Sequence, residues 1–421
     1  MKKLIDIVKE QADGFKIVNV KTKANEFFFI KHRLDMNRFK EVEHTFLTVY
    51  RQLDDGKFLG STTREIHPNT SDEQLLKLIK EMNYGAGFVK NPYYQLAKPQ
   101  ETDKQVFIPI DPLKVASDII DTIQSVKTTD HENINSYEVF VNEKVIRIIN
   151  SEGIDVEYET IDSQAEIIVN AKMQDSEIEI YRNYTFGTCD KAYLAQQLQD
   201  TITIGKDRSL ASKTPNLNNF RVVFDGHNAV KLLGYFVDMT NVSSVYMKIS
   251  DYVRGQAISD NDQISLTALA SLPNSSRNVM YDDDGNLLCD RELIKDSVCL
   301  DFWGNEQFSQ YLGQSKASIY RNFAFSIGDF DHSALRKQPY LRAAEFSDFQ
   351  CDSSTGNFAG EIRLAYYFDG EKEIPVSGGS ISGNIKQLLS TMRLADKLKQ
   401  IDNYLIPEFI VLDDVSVSGT E

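Results

Sequence analysis

The chain has 421 residues, of which 41% are hydrophobic and 26% are charged, as in folded globular proteins rather than disordered tails. Its 46 basic and 62 acidic residues give a net charge of −16, which disfavours nucleic acid and anionic lipid as ligands. The four cysteines form no Cys-x-x-Cys pair, and the sequence has no apolar window long enough to cross a membrane. We therefore expect a cytoplasmic protein with no membrane partner and no nucleic-acid partner.

The first hundred residues predict an antiparallel meander between two helices. Apolar residues at helical spacing predict a short helix around Leu4 to Val8. Aromatic and β-branched residues then mark three extended segments, and the turn Asp54-Asp55-Gly56 joins the last two. These segments are 27–30, 45–50 and 57–63. Thr70 and Glu73 have the spacing of a capping box and predict the second helix.

Further helices and strands complete the first half of the chain. Asp111-Pro112 has the pattern of a helix start. Alternating apolar residues from Tyr137 to Phe186 predict about four strands, followed by a helix from about Asp190 to Leu198. The polar stretch 212–219, which contains Pro215, is the best candidate for a linker. It divides the chain into a domain of residues 1–211 and a domain of residues 220–421.

The second domain is predicted to be rich in strands. One strong helical pattern runs from Asn228 to Asp238, and a weaker one runs from Ile385 to Leu398. Strand patterns lie near 221–224, 362–368 and 409–417. The predicted fold class is α+β, with an antiparallel sheet and packed helices in the first domain and mostly antiparallel β structure with few helices in the second.

Three local motifs suggest chemistry but lack the residues that the chemistry needs. His131-Glu132 is not followed by a second His one helical turn later, so it is interpreted as a polar turn before a strand. Residues 282–285, Asp-Asp-Asp-Gly, lack the spacing of a calcium loop and predict a hairpin turn. The glycine-rich segment 378–383 is followed by Asn384-Ile385 instead of the Lys and Ser or Thr of a phosphate loop, so it predicts a turn before a helix.

Five stretches spread over both domains resemble, in order, the TldD/PmbA family, which is associated with peptide proteolysis and maturation. They include a strand that ends in a Ser-Glu-Gly turn, a helix that exits through Asn-Pro-Tyr, and a closing strand that ends in Val-x-Gly. The stretches are Arg147–Gly153, Ser71–Pro92, Ser353–Phe358, Gly370–Asn384 and Pro407–Gly419. The resemblance implies a two-domain protein that handles extended peptides.

The family contains two kinds of subunit, and the resemblance places this chain with the kind that lacks a metal. The metal-bearing kind has a helix with His-Glu-x-x-x-His and a late Cys, which give zinc three ligands and an open site for water. In one possible register the three motif positions are occupied by His227, Asn228 and Leu232, and in the other by Gly234, Tyr235 and Met239. No Cys follows Cys351. The resemblance therefore implies no catalytic and no metal-binding residue here, and zinc on a TldD-type partner.

Three functional hypotheses follow. The first is a non-catalytic subunit, similar to PmbA/TldE, that pairs with a TldD-type metallopeptidase and helps to hold extended peptides against its sheet edges. The second is an active metallopeptidase whose rearranged metal site is built from His227, His332 and Cys351. The third is a homodimeric peptide-binding protein that acts without an enzyme partner.

Overall fold

The structure, a computed structural model, describes residues 1–100, 110–129, 131–173, 176–259, 264–314 and 318–420. We refer to residues 1–211 as the first half and to the described residues from 212 onward as the second half. The first half contains α1 (Lys2–Gln11), β1 (Gly14–Ile30), β2 (Arg33–Leu53), β3 (Phe58–Glu65), α2 (Asp72–Ala86), β4 (Asn91–Pro92), α3 (Pro112–Ser125), β5 (Glu132–Asn150), β6 (Asp155–Met173), β7 (Ser176–Phe186) and α4 (Lys191–Leu210).

The strands of the first half form one antiparallel sheet in the order β4-β3-β2-β1-β5-β6-β7. The three segments of the predicted meander are parts of β1, β2 and β3, and the alternating region from Tyr137 to Phe186 forms three long strands rather than four. The antiparallel sheet with packed helices is confirmed. The strands are longer than the apolar pattern indicated because long parts of them face solvent and carry polar residues, which interrupt the hydrophobic signal.

Capping residues start the helices of the first half. Ser71 and Gln74 form the capping box of α2, one residue later than the pair predicted from the sequence. The Asp111 carboxylate accepts hydrogen bonds from backbone N–H groups of α3, and the Asp190 carboxylate accepts one at the start of α4. The helices pack on one face of the sheet, where Ile79 of α2 contacts one apolar cluster and Ile119 of α3 another.

The second half contains more strands and shorter helices. They are β8 (Ser212–Lys213), β9 (Leu217–Asp225), α5 (Gly226–Met239), α6 (Val242–Tyr246), β10 (Leu266–Leu269), β11 (Arg291–Lys295), β12 (Val298–Cys299), α7 (Glu306–Tyr311), β13 (Asn322–Phe325), α8 (His332–Leu335), β14 (Tyr340–Cys351), β15 (Asn357–Phe368), β16 (Glu373–Ser377), β17 (Ser380–Asn384), α9 (Ile385–Leu388), β18 (Arg393–Leu394), β19 (Leu398–Ile401), β20 (Tyr404–Pro407) and β21 (Phe409–Ser418).

Five strands of the second half close into a ring. β14 pairs with β9, β9 with β21, β21 with β17, β17 with β15, and β15 with β14 again. Phe224, Phe349 and Phe358 belong to the apolar core of this half and contact one another. A second sheet has the order β12-β11-β10-β13-β20-β19. The prediction of mostly antiparallel β structure with few helices is confirmed, and the parallel pairs are β9 with β14, β13 with β20, and β8 with β16.

The predicted linker, residues 212–219, carries paired strands. β8 pairs with β16, and β9 begins at Leu217. The helix α4 also contacts β15 and β16, so the segment after it joins two parts of the molecule that already touch. The division into domains 1–211 and 220–421 stays a prediction.

Two of the three local motifs form the predicted turns. In the third, residues 378–383, only Gly378 and Gly379 lie in a bend, and Ser380 begins β17. The Thr129 hydroxyl accepts hydrogen bonds from the backbone N–H groups of His131 and Glu132 in a turn before β5. Residues 282–286 form a tight turn in which Asp282 N–H donates to the carbonyl of Asn286. Among the described residues, none of the helices combines the length and the apolar character needed to cross a bilayer.

The predicted helix from Ile385 to Leu398 is wrong beyond residue 391. α9 is followed by one turn of 3₁₀ helix at Leu389–Thr391, after which Met392 is extended. Arg393 and Leu394 then pair with Val411 and Ile410 of β21. Pairing with β21 therefore overrides the helical spacing of the apolar residues in this segment.

Candidate functional site

A cleft of about 820 Å³ lies between the two halves of the chain. The first half contributes β7 and α4 to its walls, and the second half contributes α5, the bulged middle of β14, and single residues of β15 and β19. These segments are far apart in sequence. The cleft therefore exists only because the two halves pack together.

The helix α5, which was predicted at the degenerate metal motif, begins at the wall of this cleft. β9 ends at Asp225, and Gly226 has a φ of +52°, a left-handed conformation that glycine adopts without steric cost. His227 and Asn228 follow in the first turn and line the cleft. The sharp turn from strand to helix thus brings the start of α5 to the junction of the two halves.

The residues of the first register at the cleft are held by contacts within the protein. The Nε2 atom of His227 lies 3.0 Å from Oδ2 of Asp402, and its side chain is half exposed. The Asn228 side-chain amide donates to the carbonyls of Ala343 and Ala344, at 3.3 Å each. Leu232, the third position, is fully buried in the core. Asn228 therefore fastens α5 to β14.

In the second register, two of the three residues pack in the core. Tyr235 and Met239 are buried in the apolar core, and burial raises the pKa of the Tyr235 hydroxyl. Gly234 has open space where a side chain would extend. The first register offers one side chain of the kinds that bind zinc, His227, and the second offers none, whereas a catalytic zinc site needs three. Zinc therefore does not fit α5 in either register.

The alternative metal ligands lie in three different environments. His332 starts α8, where its Nε2 atom lies 3.3 Å from Oε2 of Glu408 in a smaller cavity that adjoins the cleft. Cys351 ends β14 beside the core, and burial raises the pKa of its thiol to about 11, so it is protonated at neutral pH. The structure does not bring His227, His332 and Cys351 together, and within the described residues no group of three His, Cys, Asp or Glu side chains is placed to hold a metal ion.

Polar contacts across the cleft connect the halves. Arg182 of β7 forms an ion pair with Glu345 of β14. The Tyr366 hydroxyl of β15 donates to Oδ2 of Asp207 on α4 at 2.6 Å. Burial raises the pKa of Glu345, and the positive charges of Arg182 and Arg208 oppose that shift. These contacts between largely buried polar and charged groups therefore join the two walls of the cleft.

A second group of charges lies where the cleft meets the neighbouring cavity of about 310 Å³. The Arg342 guanidinium lies 3.5 Å from Asp225 and 3.3 Å from Glu373, and 4.2 Å from the centre of the Tyr366 ring. Burial raises the pKa of Asp225, and the charges of Arg342 and Lys399 oppose the shift. Arg342 thus holds the side chains of Asp225, Glu373 and Tyr366 together where the two cavities meet.

Two strand edges face the cleft. β7 is the last strand of its sheet among the described residues, and residues 181–184 line the cavity. β14 pairs with β9 only over residues 341–343, so its continuation at 345–348, interrupted by β-bulges, borders the cavity beyond that pairing. Backbone groups on strand edges can hydrogen-bond an extended peptide with few demands on its sequence.

Sequence reasoning found the helix that borders the cleft but missed the residues opposite it. Arg182, Glu345 and Arg342 belong to no local motif and come from segments that are distant in the chain. Only a fold assignment could have placed them together, because their pairing depends on how β7 and β14 approach each other.

The comparisons with known proteins cover the whole chain. Residues 218–419 match the family described as the PmbA/TldA metallopeptidase C-terminal domain. No curated protein matches the sequence. TldE from Thermococcus kodakarensis has a similar structure, with a TM-score of 0.80, 14% identity and full coverage of both chains.

Two further solved structures are similar over nearly their full length. A proposed modulator of DNA gyrase from Bacteroides thetaiotaomicron has a TM-score of 0.79 and 16% identity, with 100% of this chain and 98% of that chain covered. Another, from Thermotoga maritima, has a TM-score of 0.76 and 15% identity, with 99% and 98% covered. At these identities the likeness shows a shared fold.

Proposed function

Because this chain is a TldD/PmbA/TldE-like protein, we propose that it is a non-catalytic subunit of a TldD/TldE-type metallopeptidase complex. In this proposal the TldD-type partner carries the zinc ion and cleaves the peptide. The present chain helps to enclose extended peptides during their proteolysis or maturation. Its contribution is binding and positioning, and no chemical step is assigned to its residues.

The observation that carries the proposal is the role of Asn228. The family's metal-bearing helix needs a Glu and two His side chains facing the substrate, and here the side-chain amide of Asn228 bonds the carbonyls of Ala343 and Ala344. The next motif position in that register, Leu232, is buried in the core. The helix is thus retained as a structural wall of the cleft.

The shape of the cleft supports a role in holding extended chains. Its volume of about 820 Å³ accommodates several residues of a peptide, and its walls include the edge of β7 and the bulged part of β14. A peptide that adds to a strand edge gains backbone hydrogen bonds whatever its side chains. Such binding would be broad in sequence and would exclude folded proteins, which do not offer an extended segment.

The alternatives have less support. A metal site from His227, His332 and Cys351 would need three side chains that lie in separate environments to meet. A role on DNA, suggested by the description of two structural relatives, has no electrostatic support from a chain with a net charge of −16.

The test is to assay peptide cleavage by the isolated chain, by a TldD-type subunit of the same organism that carries His-Glu-x-x-x-His, and by their mixture. An unstructured peptide serves as substrate, and the same sequence inside a folded domain serves as its control. We expect a stable complex and cleavage of the unstructured peptide only by the mixture. Cleavage by the isolated chain at the rate of the mixture would contradict the proposal.

A further inference from the structure

The strand β2 extends far beyond its neighbour β3. It pairs with β1 along its whole length, whereas β3 pairs with it only from Phe46 to Leu53. Within the described part of the chain, no strand pairs with the other side of residues 33–45. At about 3.4 Å per residue, this segment, which we call the open edge of β2, is about 44 Å long. That length exceeds the roughly 28 Å width of an interface that buries about 800 Å² on each partner.

The open edge carries an unusual number of exposed apolar side chains. Leu34, Met36, Phe39 and Val42 are 53%, 45%, 59% and 40% exposed, and Phe46 at its end is 39% exposed. Met36, Val42 and Phe46 alternate on one face of β2, and Phe39 lies on the other. Charged residues separate these apolar side chains along the strand. An unpaired edge that exposes apolar side chains still promotes association, so natural sheets cover such edges or interrupt them. The concentration of exposed apolar side chains on the open edge indicates a surface that is covered in the working protein.

The backbone direction of the open edge follows from one hydrogen bond. The carbonyl of Thr45 accepts from the N–H of Ile66, so the backbone groups of Thr45 point away from β1. Because this direction alternates along a strand, Phe39, Glu41 and Glu43 also direct their N–H and C=O groups outward. No register shift interrupts the pairing with β1 from Met36 to Thr45. The open edge therefore presents a regular row of donors and acceptors to an incoming strand.

We propose that the open edge of β2 is the surface on which the partner subunit docks, by adding an edge strand of its own to this sheet. The inference rests on the proposed function, because it identifies where the second subunit binds. The partner strand would carry apolar side chains on both of its faces, to cover Met36 and Val42 on one side and Phe39 on the other.

The charges on the open edge favour a different polypeptide over a second copy. Two copies that pair antiparallel about a two-fold axis must place one residue opposite itself. The bulge at Asp35 limits regular pairing to residues 36–45, and the registers that pair nearly all of them are centred on Lys40 or Glu41. Each places like charges directly opposite each other, which destabilises a strand pair. A partner of different sequence avoids this repulsion.

The test compares Glu41→Pro with Glu41→Ala. Both remove the carboxylate, but only proline removes the outward N–H and places its ring where an incoming strand would lie. The ladder to β1 is unaffected, because Glu41 directs its backbone groups the other way. Phe39→Lys is a second variant that leaves the backbone unchanged. Thermal unfolding of each variant checks that the sheet is intact.

Each variant is mixed with the TldD-type subunit, and assembly is followed by sedimentation velocity. We expect the wild type and Glu41→Ala to form the complex, and Glu41→Pro and Phe39→Lys to bind at least tenfold more weakly. Hydrogen exchange of the peptide that covers residues 36–45 should slow in the complex. Equal assembly and unchanged exchange in all variants would overturn this inference while the proposed function stands.

Two other results would be informative. Failure of the wild type itself to bind the TldD-type subunit would contradict the proposed function and remove the basis of the inference. Self-association of the wild type that is lost in Glu41→Pro but kept in Glu41→Ala would show that a second copy occupies the edge, and would overturn the assignment to a different polypeptide.

Discussion

Arg182 on β7 and Glu345 on β14 form an ion pair that crosses the cleft and joins the two halves of the chain. Their side chains are 23% and 18% exposed, so both charges are largely removed from water. Removing one partner leaves the other buried without compensation, which costs more than the loss of a surface ion pair. This contact is therefore a sensitive reporter of how the halves are held together.

Arg182→Ala should lower the free energy of unfolding by about 1 to 3 kcal/mol, the cost of a buried group without its partner. The pKa of Glu345 is already raised by burial, and loss of Arg182 raises it further. Ionising a carboxyl whose folded pKa is raised costs stability, so stability falls as pH rises through that pKa. The deficit of the variant, measured by urea unfolding, should therefore shrink at acid pH, and the double variant Arg182→Met, Glu345→Gln should recover most of it. A deficit independent of pH would contradict this account.

Asn228→Asp should destabilise the protein, because a carboxylate cannot donate to the carbonyls of Ala343 and Ala344 and would be repelled by them. We expect a loss of about 1 to 3 kcal/mol in the free energy of unfolding. Lys231→Ala, which removes one bond from the same helix to the carbonyl of Phe349, is a milder control. A variant as stable as the wild type would show that Asn228 does not fasten α5 to β14.

Asp282 should make stability depend on pH. Burial raises the pKa of its carboxyl to about 6, although its oxygens accept hydrogen bonds from the N–H groups of Asp284, Asn286 and Ile319. Because the folded pKa is above the unfolded one, this group favours folding below about pH 4 and loses that contribution as pH rises through about 6.

Asp282→Asn removes this titration while other groups titrate as before. The stability of the variant relative to wild type should therefore improve between pH 4 and pH 7, by up to about 3 kcal/mol. The variant carries a constant penalty at all pH values, because the amide nitrogen cannot accept a hydrogen bond. Urea unfolding across this range measures the difference, and a constant difference would contradict the raised pKa.

His227→Ala separates the proposed subunit from an enzyme with a rearranged metal site. His227 is half exposed and pairs with Asp402 at the surface, so its loss should change stability by less than about 0.5 kcal/mol. We also expect the mixture with the TldD-type subunit to keep cleaving the peptide, because in this proposal the zinc ion lies on the partner. Loss of a cleavage activity that the isolated wild-type chain possesses would favour the rearranged site.

The sequence predicted elements whose signals are local. Asp111-Pro112 marked the start of α3 because capping chemistry acts within a few residues, and the helix from Asn228 to Asp238 lies within α5 because its apolar face is continuous. The ring of strands was not predictable in this way. It depends on pairs such as Leu341 with Val222, which no local pattern encodes.

In the candidate site, too, the sequence predicted what depends on neighbouring residues and missed what depends on residues far apart in the chain. The degenerate motif on α5 was found because His227 and Asn228 are adjacent in the chain. Arg182 and Glu345 were not found, since each is an ordinary charged residue on a strand until β7 and β14 meet. Resemblance to a family supplied the substrate class and the partner only as expectations. Arg182 and Glu345 were identified from the structure of the cleft.

The most direct test of the central claim is the zinc content of the isolated chain after dialysis against buffer that contains zinc, measured by elemental analysis beside a TldD-type subunit treated in the same way. We predict far less than one zinc ion per chain here, and close to one per chain in the TldD-type subunit. One tightly held zinc ion per molecule of this chain would contradict the account.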